Sequence, residues 1–219
     1  MITIGIIVVA AIFLVVGWAV TTEMLQQRAW RRRVASGDLA IIAALIEEAL
    51  ATWRRARPPR GIPPSTWAGI QSAQLVAVEA DSATLSASAE GEFATVEGRR
   101  VQVTSALDAA IAIAAKLLDM MLYDVPNLRL GTVRVDVYTT FTSPDGTPDQ
   151  RPILTVTADR AVAEDLPWDA LTPAEILGRF EAHYEPDPAG RPVPIELPPV
   201  SGTLPRLPGQ GAPSEPSRE

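Results

Sequence analysis

The sequence predicts an α+β protein: an N-terminal transmembrane helix followed by a small domain in which an antiparallel sheet packs against a buried central helix and a C-terminal helix. Three observations lead to this prediction. They are an uncharged apolar N-terminus, short segments of alternating apolar and polar residues, and one almost wholly apolar helical segment between them. The elements follow the order β-β-β-β-α-β-β-α, which favours helices on one face of an antiparallel sheet.

Composition narrows the classes of function. The 219 residues suffice for one domain with extensions. The chain contains no cysteine and a single histidine, His183, which excludes disulfides, thiolate metal sites and multi-histidine sites within one chain. Residues 1–60 have a net charge of +4 and residues 61–219 a net charge of −11. The acidic domain disfavours nucleic acid as a partner, whereas the basic N-terminal part suits an anionic lipid surface.

Residues 1–22 are predicted to form the membrane anchor. Ile2 to Val20 are nineteen residues without a charge, and at about 1.5 Å per helical residue they span close to the ~30 Å hydrocarbon core of a bilayer. A removable signal peptide is disfavoured, because Met1 is followed directly by the apolar run rather than by a basic segment.

Residues suited to the membrane interface lie at or beyond the end of this apolar run. They are Trp18, Trp30, Arg28, Arg31, Arg32 and Arg33. Tryptophan rings favour the interface, and arginines close to a span favour its cytoplasmic side. The sequence therefore predicts a single-pass protein of the cell membrane, with the N-terminus outside and the C-terminal domain in the cytoplasm.

A basic juxtamembrane segment and an amphipathic helix are predicted over residues 23–57. Asp38 is positioned to cap the helix, and apolar residues such as Ile42, Ile46 and Trp53 recur at three- and four-residue spacing. We expect this apolar stripe to dock on the protein's own domain. The alternative is a short self-associating coil beside the membrane.

The globular domain is predicted over residues 67–184, after a semi-rigid proline-rich connector at residues 58–66. Partial alternation of apolar and polar residues predicts three or four short antiparallel strands within the segments Ala73–Ala80, Ala83–Glu90, Glu92–Val96 and Arg99–Val103. The central helix is predicted over Ala106–Tyr123, where Ser105 and Asp108 resemble a capping box. Its nearly all-apolar surface indicates burial by partner structure.

The second half of the domain is predicted to contain a hairpin and a final helix. The strand around Val133–Phe141 is followed by loop residues 143–148 and a returning strand at Ile153–Thr157. Thr172 to Glu175 form a capping box that begins a helix running to about His183. Ten of the 35 residues in 185–219 are proline, which predicts a disordered or extended tail.

Acidic residues provide the candidate catalytic and metal-binding groups. Asp136 and Asp159 form a close carboxylate pair if the hairpin registers them, and such a pair is the minimum for acid/base chemistry. Exposed aspartates on a strand face are the alternative. The loop Asp145–Asp149 offers oxygen atoms to calcium, but its spacing lacks the EF-hand pattern and is typical of a hairpin loop.

His183 lies between Glu181 and Glu185. On a helix these neighbours point to different faces, so the trio would bind a metal only weakly. The simpler interpretation is a histidine at the C-terminal end of a helix, where its protonated ring interacts favourably with the helix dipole.

The pattern as a whole favours a non-enzymatic interaction or assembly module tethered to the membrane, such as an accessory subunit of a membrane complex. The alternatives are a membrane-anchored enzyme that uses acidic residues with a recruited metal, and a structural homo-oligomer. The expected partners are the lipid bilayer and either another protein or a second copy, and no cofactor is predicted. The Pro-x-x-Pro spacing within Leu204–Pro208 offers a docking motif, although a proline-rich composition alone explains it.

Overall fold

The computed structural model describes residues 38–96 and 98–204. The predicted anchor at residues 1–22 and the interface residues Trp18, Trp30, Arg28, Arg31, Arg32 and Arg33 lie outside these ranges. Within the described ranges, no helix is both long and apolar enough to cross a membrane.

The described chain alternates between helices and short strands. In chain order the elements are α1 (Leu39–Arg55), α2 (Pro64–Gln71), β1 (Gln74–Val78), β2 (Ser82–Ser88), β3 (Glu92–Val96), β4 (Arg99–Thr104), α3 (Ala106–Asp119), a π-helical turn (Met120–Asp124), β5 (Thr132–Thr142), β6 (Pro148–Asp159), α4 (Arg160–Ala163), a 3-10 turn (Trp168–Ala170), α5 (Pro173–Leu177), β7 (Glu181–His183), β8 (Glu185–Pro186) and β9 (Pro192–Val193).

The main sheet has five strands in the order β1-β2-β5-β6-β7. The α+β class is confirmed, but the sheet is mixed rather than antiparallel, because β2 pairs with β5 in parallel while the other neighbours are antiparallel. The chain between β2 and β5 contains β3, β4 and α3, and this long connection returns β5 in the direction of β2. Side chains alternate between the two faces of a sheet in both parallel and antiparallel strands. The sequence pattern therefore did not show in which direction β2 and β5 pair.

Helix α3 forms the centre of the core. Ser105 caps it by accepting a hydrogen bond from the Asp108 amide, as the sequence predicted. Its buried side chains include Ile113, Leu117 and Leu118, and it packs on β5 and β6 on one side and on α2 and α5 elsewhere. The π-helical turn then continues to Asp124. Burial of a broad apolar face of this helix is consistent with its sequence pattern, while Ala112, Lys116 and Asp119 line a half-buried stripe.

Helix α1 docks on its own domain. Its apolar stripe, which includes Ile42, Ile46 and Leu50, is buried and contacts β1 and α2. The guanidinium of Arg54 also donates a hydrogen bond to the Ala73 carbonyl (2.8 Å). The proline-rich connector is shorter than expected, because Pro64 already lies in the first turn of α2, where its missing amide costs no helical hydrogen bond.

The final helix is also shorter than predicted. Thr172 and Glu175 form the predicted capping box, but α5 ends at Leu177 and is closed by Gly178. The next residues form strand β7, in which His183 lies opposite Thr155 of β6. His183 therefore belongs to a strand and not to a helix end, because pairing with the open edge of β6 outweighs the short helical pattern.

Residues 194–204 form an extended segment, which we call the strap, across the polar side of the sheet. The Ile195 amide donates to the Pro152 carbonyl (3.0 Å), and Thr203 exchanges two backbone hydrogen bonds with Val78 (2.9 and 3.1 Å). The disordered tail predicted for residues 185–219 thus contains an ordered part up to residue 204, and residues 205–219 lie outside the described ranges. A proline-rich extended chain has no internal hydrogen bonds, so its carbonyls remain available to the sheet.

Candidate functional site

The hairpin formed by β3 and β4 stands apart from the main sheet. The two strands pair only with each other, and Gly98 in the turn has a φ of +76°. Because side chains alternate along a strand, Phe93, Arg100 and Gln102 share one face of the hairpin and Val101 lies on the other, while Val103 is the extra residue at a β-bulge. The guanidinium of Arg100 lies over the Phe93 ring, 4.2 Å from its centroid.

Large apolar side chains on this hairpin are exposed to solvent. The exposed fractions are 52% for Phe93, 46% for Val101 and 64% for Val103. A two-stranded hairpin has little stability of its own, and clustered exposed apolar side chains are typical of interaction surfaces. Both faces of the hairpin therefore offer apolar contact area to a partner.

A cleft of about 630 Å³ separates the hairpin from the far end of β5. We call it the hairpin cleft. The hairpin contributes Phe93 and Arg100, the far end of β5 contributes Thr140 and Phe141, and the turn between β8 and β9 contributes Arg191. Two phenyl rings, two guanidinium groups and the backbone of a strand thus surround one space.

The far end of β5 lies at an open sheet edge. Strand β5 has 11 residues, whereas β2 has seven, and β2 pairs with β5 only as far as Tyr138. Thr139 to Thr142 pair with β6 on one side alone. An open edge presents backbone donors and acceptors that another extended chain can satisfy, and in this protein the open edge faces the hairpin cleft.

The charges on the two sides of the hairpin cleft differ in their pairing. Arg191 donates to the Asp187 carboxylate (Nε to Oδ2, 2.7 Å), and backbone hydrogen bonds from Arg191 and Ala189 help to hold the pKa of Asp187 below its ordinary value. Arg100 forms no ion pair with any carboxylate in the described part of the chain, and its recorded contact is the Phe93 ring. Among the described residues, the cleft therefore contains one compensated cation, Arg191, one cation without a carboxylate partner, Arg100, and one carboxylate without a recorded ion pair, Glu90.

Asp136 and Asp159 do not form the carboxylate pair considered from the sequence. Asp136 lies opposite Thr155, and Asp159 lies opposite Thr132. These positions are four residues apart on β5, a separation of roughly 13 Å at about 3.3 Å per residue. Asp159 instead caps α4 by accepting a hydrogen bond from the Ala161 amide (2.8 Å).

Asp136 is part of a buried polar network under the strap. Its Oδ1 atom accepts hydrogen bonds from Arg134 Nε (2.9 Å) and Thr155 Oγ1 (2.6 Å). The guanidinium of Arg134 also donates to the carbonyls of Pro198 (3.0 Å) and Pro199 (3.2 Å). Burial, and then the Asp136 charge, raise the pKa of the neighbouring Tyr138. These contacts attach the strap to the sheet, which is a structural role.

His183 and its acidic neighbours are arranged differently from the expectation. Glu181 and His183 share one face of β7, since residues two apart on a strand point the same way. His183 Nε2 lies 3.9 Å from Glu185 Oε1. Among the described residues, no group of three histidine, aspartate or glutamate side chains is arranged to hold a metal ion.

The acidic loop between β5 and β6 has hairpin geometry. Asp145 Oδ1 accepts hydrogen bonds from the Thr147 hydroxyl (2.7 Å) and then from the Thr147 amide (3.0 Å), which lower the pKa of Asp145. Gly146 has a φ of +84°. The carboxylate thus stabilises the turn, as expected for an aspartate in this position.

A second groove, of about 400 Å³, runs along the exposed stripe of α3. Lys116 and Asp119 form an ion pair there (2.5 Å), and Trp168 and Ile176 contribute to the walls. Nearby Asp124 has a raised pKa because of burial and, secondarily, of the Asp119 charge.

The chain significantly matches no protein-family model, no curated protein and no solved structure. Its function must therefore be inferred from the residues and their geometry. The hairpin cleft was not predicted, because the segments Glu92–Val96 and Arg99–Val103 were assigned to the antiparallel sheet and not to a separate hairpin. The open edge was not signalled either, because the sequence predicted strands of similar length at Ala83–Glu90 and Val133–Phe141, whereas β2 has seven residues and β5 has 11.

Proposed function

We propose that this protein is a non-enzymatic interaction module, tethered to the cell membrane by residues 1–22, whose partner protein binds at the hairpin cleft. The observation that best supports the proposal is the exposure of Phe93, Val101 and Val103 on one hairpin beside an open sheet edge. Exposed apolar side chains next to unpaired backbone groups give both the affinity and the specificity of many protein interfaces.

The tether is supported by the sequence. The uncharged run from Ile2 to Val20 has the length of a membrane span, and Arg31 to Arg33 follow it. This arrangement would present the domain on the cytoplasmic side, within reach of partners at the membrane.

Two alternatives receive less support from the described residues. The enzyme hypothesis relied on proximity of Asp136 and Asp159, and these residues cap and stabilise separate parts of the fold instead. The homo-oligomer hypothesis relied on packing of the anchor and of the helix over residues 38–57, which includes the apolar stripe of α1. Since Ile42 and Ile46 are buried in the protein's own domain, that stripe is already occupied.

The test compares matched variants of the full-length protein extracted from its native membrane in mild detergent. Val103→Lys places a charge on the exposed hairpin face, whereas Val162→Lys makes the same change at an exposed valine on α4. We expect a stoichiometric partner in the wild type and Val162→Lys preparations, identified by mass spectrometry, and its loss from Val103→Lys. Equal retention by both variants would contradict a partner site at the hairpin.

A further inference from the structure

The backbone of Thr140 points into the hairpin cleft. On the β2 side of β5, the Tyr138 carbonyl accepts a hydrogen bond from the Ala89 amide (2.8 Å). The N–H and C=O of one strand residue point to the same side, and this side alternates from residue to residue. Those of Thr140 therefore point to the β2 side as well, where β2 has already ended at Ser88.

We infer that the hairpin cleft binds an extended, acidic peptide segment of a partner protein, which adds as a strand to the open edge of β5 at Thr140. This inference rests on the proposed function and specifies the chemistry of the partner. Only an extended backbone supplies a donor and an acceptor at the spacing that an open strand edge requires. The added strand would run between the far end of β5 and the hairpin.

The side chains of the hairpin cleft indicate what the added strand must contain. Arg100 has no carboxylate partner among the described residues, while the nearby Asp187 is already compensated by Arg191. A carboxylate on the incoming strand would pair with Arg100, since a guanidinium binds carboxylates through several N–H groups. Phe93 and Phe141 flank the same space, so apolar side chains are favoured at the alternating positions.

Two other occupants fit the hairpin cleft less well. A lipid surface would bury Phe93 and Val103, but hydrocarbon offers no partner for the backbone groups of Thr140, and leaving such groups unpaired is costly. A second copy of the chain pairing through the same edge would present Thr139 to Thr142, which contain no carboxylate for Arg100. The charge requirement therefore favours a different, acidic segment.

The test uses the full-length protein in detergent and a phage-displayed library of random octapeptides as the probe. We expect enrichment of peptides that combine β-branched or aromatic residues with aspartate or glutamate. The tightest synthetic peptide is then measured against Thr140→Pro, which removes the amide that points into the cleft and leaves the ladder to β6 intact. Thr140→Val keeps the amide and serves as its control. Thr140→Pro should weaken peptide binding about tenfold, because the peptide loses one backbone hydrogen bond to β5 and the alignment that this bond fixes.

A second pair of variants tests the charge independently of the backbone. Arg100→Glu should weaken peptide binding at least as much as Thr140→Pro, whereas Arg99→Glu, on the other face of the hairpin, should leave it within about twofold. Equal binding by Thr140→Pro and Thr140→Val, or by the two arginine variants, would overturn the inference. The inference would also be overturned if the library selection enriched no peptide. The same holds if Thr140→Pro converted a dimer to a monomer, or if Arg100 were needed for binding to anionic vesicles and not to peptides. If the inference fails while Val103→Lys still loses the native partner, the proposed function stands without the added strand.

Discussion

Arg134 and Asp136 lie two residues apart on β5 and form an ion pair that is almost fully buried, with Nε and Oδ1 2.9 Å apart and exposed side-chain fractions of 11% and 2%. Asp136 is further bonded to Thr155, and Arg134 to the strap. Every buried side-chain nitrogen and oxygen atom among the described residues forms a hydrogen bond, and this includes the buried atoms of the network. Removal of one member should therefore be costly.

Asp136→Ala should destabilise the protein by about 3 kcal/mol, because Arg134 would keep a buried charge without its partner. The measurement is thermal unfolding of the full-length protein in detergent, followed by circular dichroism. The control is Asp149→Ala, which removes the partner of exposed Arg151 and should cost less than about 1 kcal/mol. Similar melting curves for the two variants would show that the buried network contributes little.

Leu118→Asp should unfold the domain. Leu118 is fully buried on α3, and an unpaired charge there should cost about 4 kcal/mol or more, a large part of the stability of an ordinary domain. Ala112→Asp places the same side chain on the half-buried stripe beside Lys116 and should cost about 1 kcal/mol or less. A folded Leu118→Asp protein with an unchanged melting curve would contradict the packing of α3.

Ile195→Ser should loosen the strap at a cost of about 2 kcal/mol, because the buried isoleucine side chain is the main apolar contact of that segment. Val200→Ser, at an exposed position of the same segment, should change stability by less than about 0.5 kcal/mol. Limited proteolysis with a glutamate-specific protease provides a second measurement: cleavage after exposed Glu196, within the strap, should become faster in Ile195→Ser alone. Equal rates for both variants and the wild type would indicate that the strap does not depend on Ile195.

The stability contribution of Asp124 should decrease as the pH rises. Burial raises the pKa of Asp124 in the folded protein above its ordinary value of 3.8, so the folded state binds more protons than the unfolded state in the interval between the two pKa values. The favourable contribution is complete below pH 3.8 and is lost as the pH rises through the raised pKa. Asp124→Asn should therefore gain stability relative to wild type between pH 4 and pH 7, measured as the difference in melting temperature.

Glu175→Gln provides the opposite case. Hydrogen bonds from Thr172 lower the pKa of Glu175 below 4.5, so its contribution is present above that pH and is lost as the pH falls through the lowered value. The difference in melting temperature between Glu175→Gln and wild type should therefore become smaller toward low pH. If the melting-temperature differences of Asp124→Asn and Glu175→Gln from wild type change with pH in the same direction, the pKa values of the two carboxylates are not shifted as the structure indicates.

The predicted membrane topology is tested with reporter fusions after Glu219. Arg28 and Arg31 to Arg33 follow the apolar run and should hold that side in the cytoplasm. A reporter enzyme active only outside the cytoplasm should remain silent, and one active only inside should function. Activity of the first reporter would reverse the orientation and remove the cytoplasmic setting of the proposed function.

The sequence predicted the elements that have a local signal. The apolar surface of α3, its cap at Ser105 and the capping box at Thr172 are all present in the structure, because helix ends and buried helical faces are determined by residues close in sequence. Pairing between distant strands has no such signal. The parallel register of β2 with β5 and the conversion of Glu181–His183 into a strand were therefore not predicted.

The candidate site depends on the same distant relationships. Thr140 and Arg100 belong to segments that the sequence assigned to strands, but their position around one cleft follows from where β2 ends and from the separation of the hairpin from the main sheet. The contact between Arg134 and the carbonyls of Pro198 and Pro199 likewise joins distant parts of the chain. Composition alone suggested disorder for that part, because it does not show which carbonyls find a donor.

The bridge between Val78 and Thr203 joins an early strand to almost the last described residue. During synthesis on the ribosome, β1 emerges long before Thr203, so the edge of β1 that Thr203 covers stays open until that distant segment has been translated. Contacts between such distant residues slow folding, and an exposed strand edge during that delay invites aggregation. The protein should therefore depend on chaperone protection during translation more than a domain of similar size built from local hairpins.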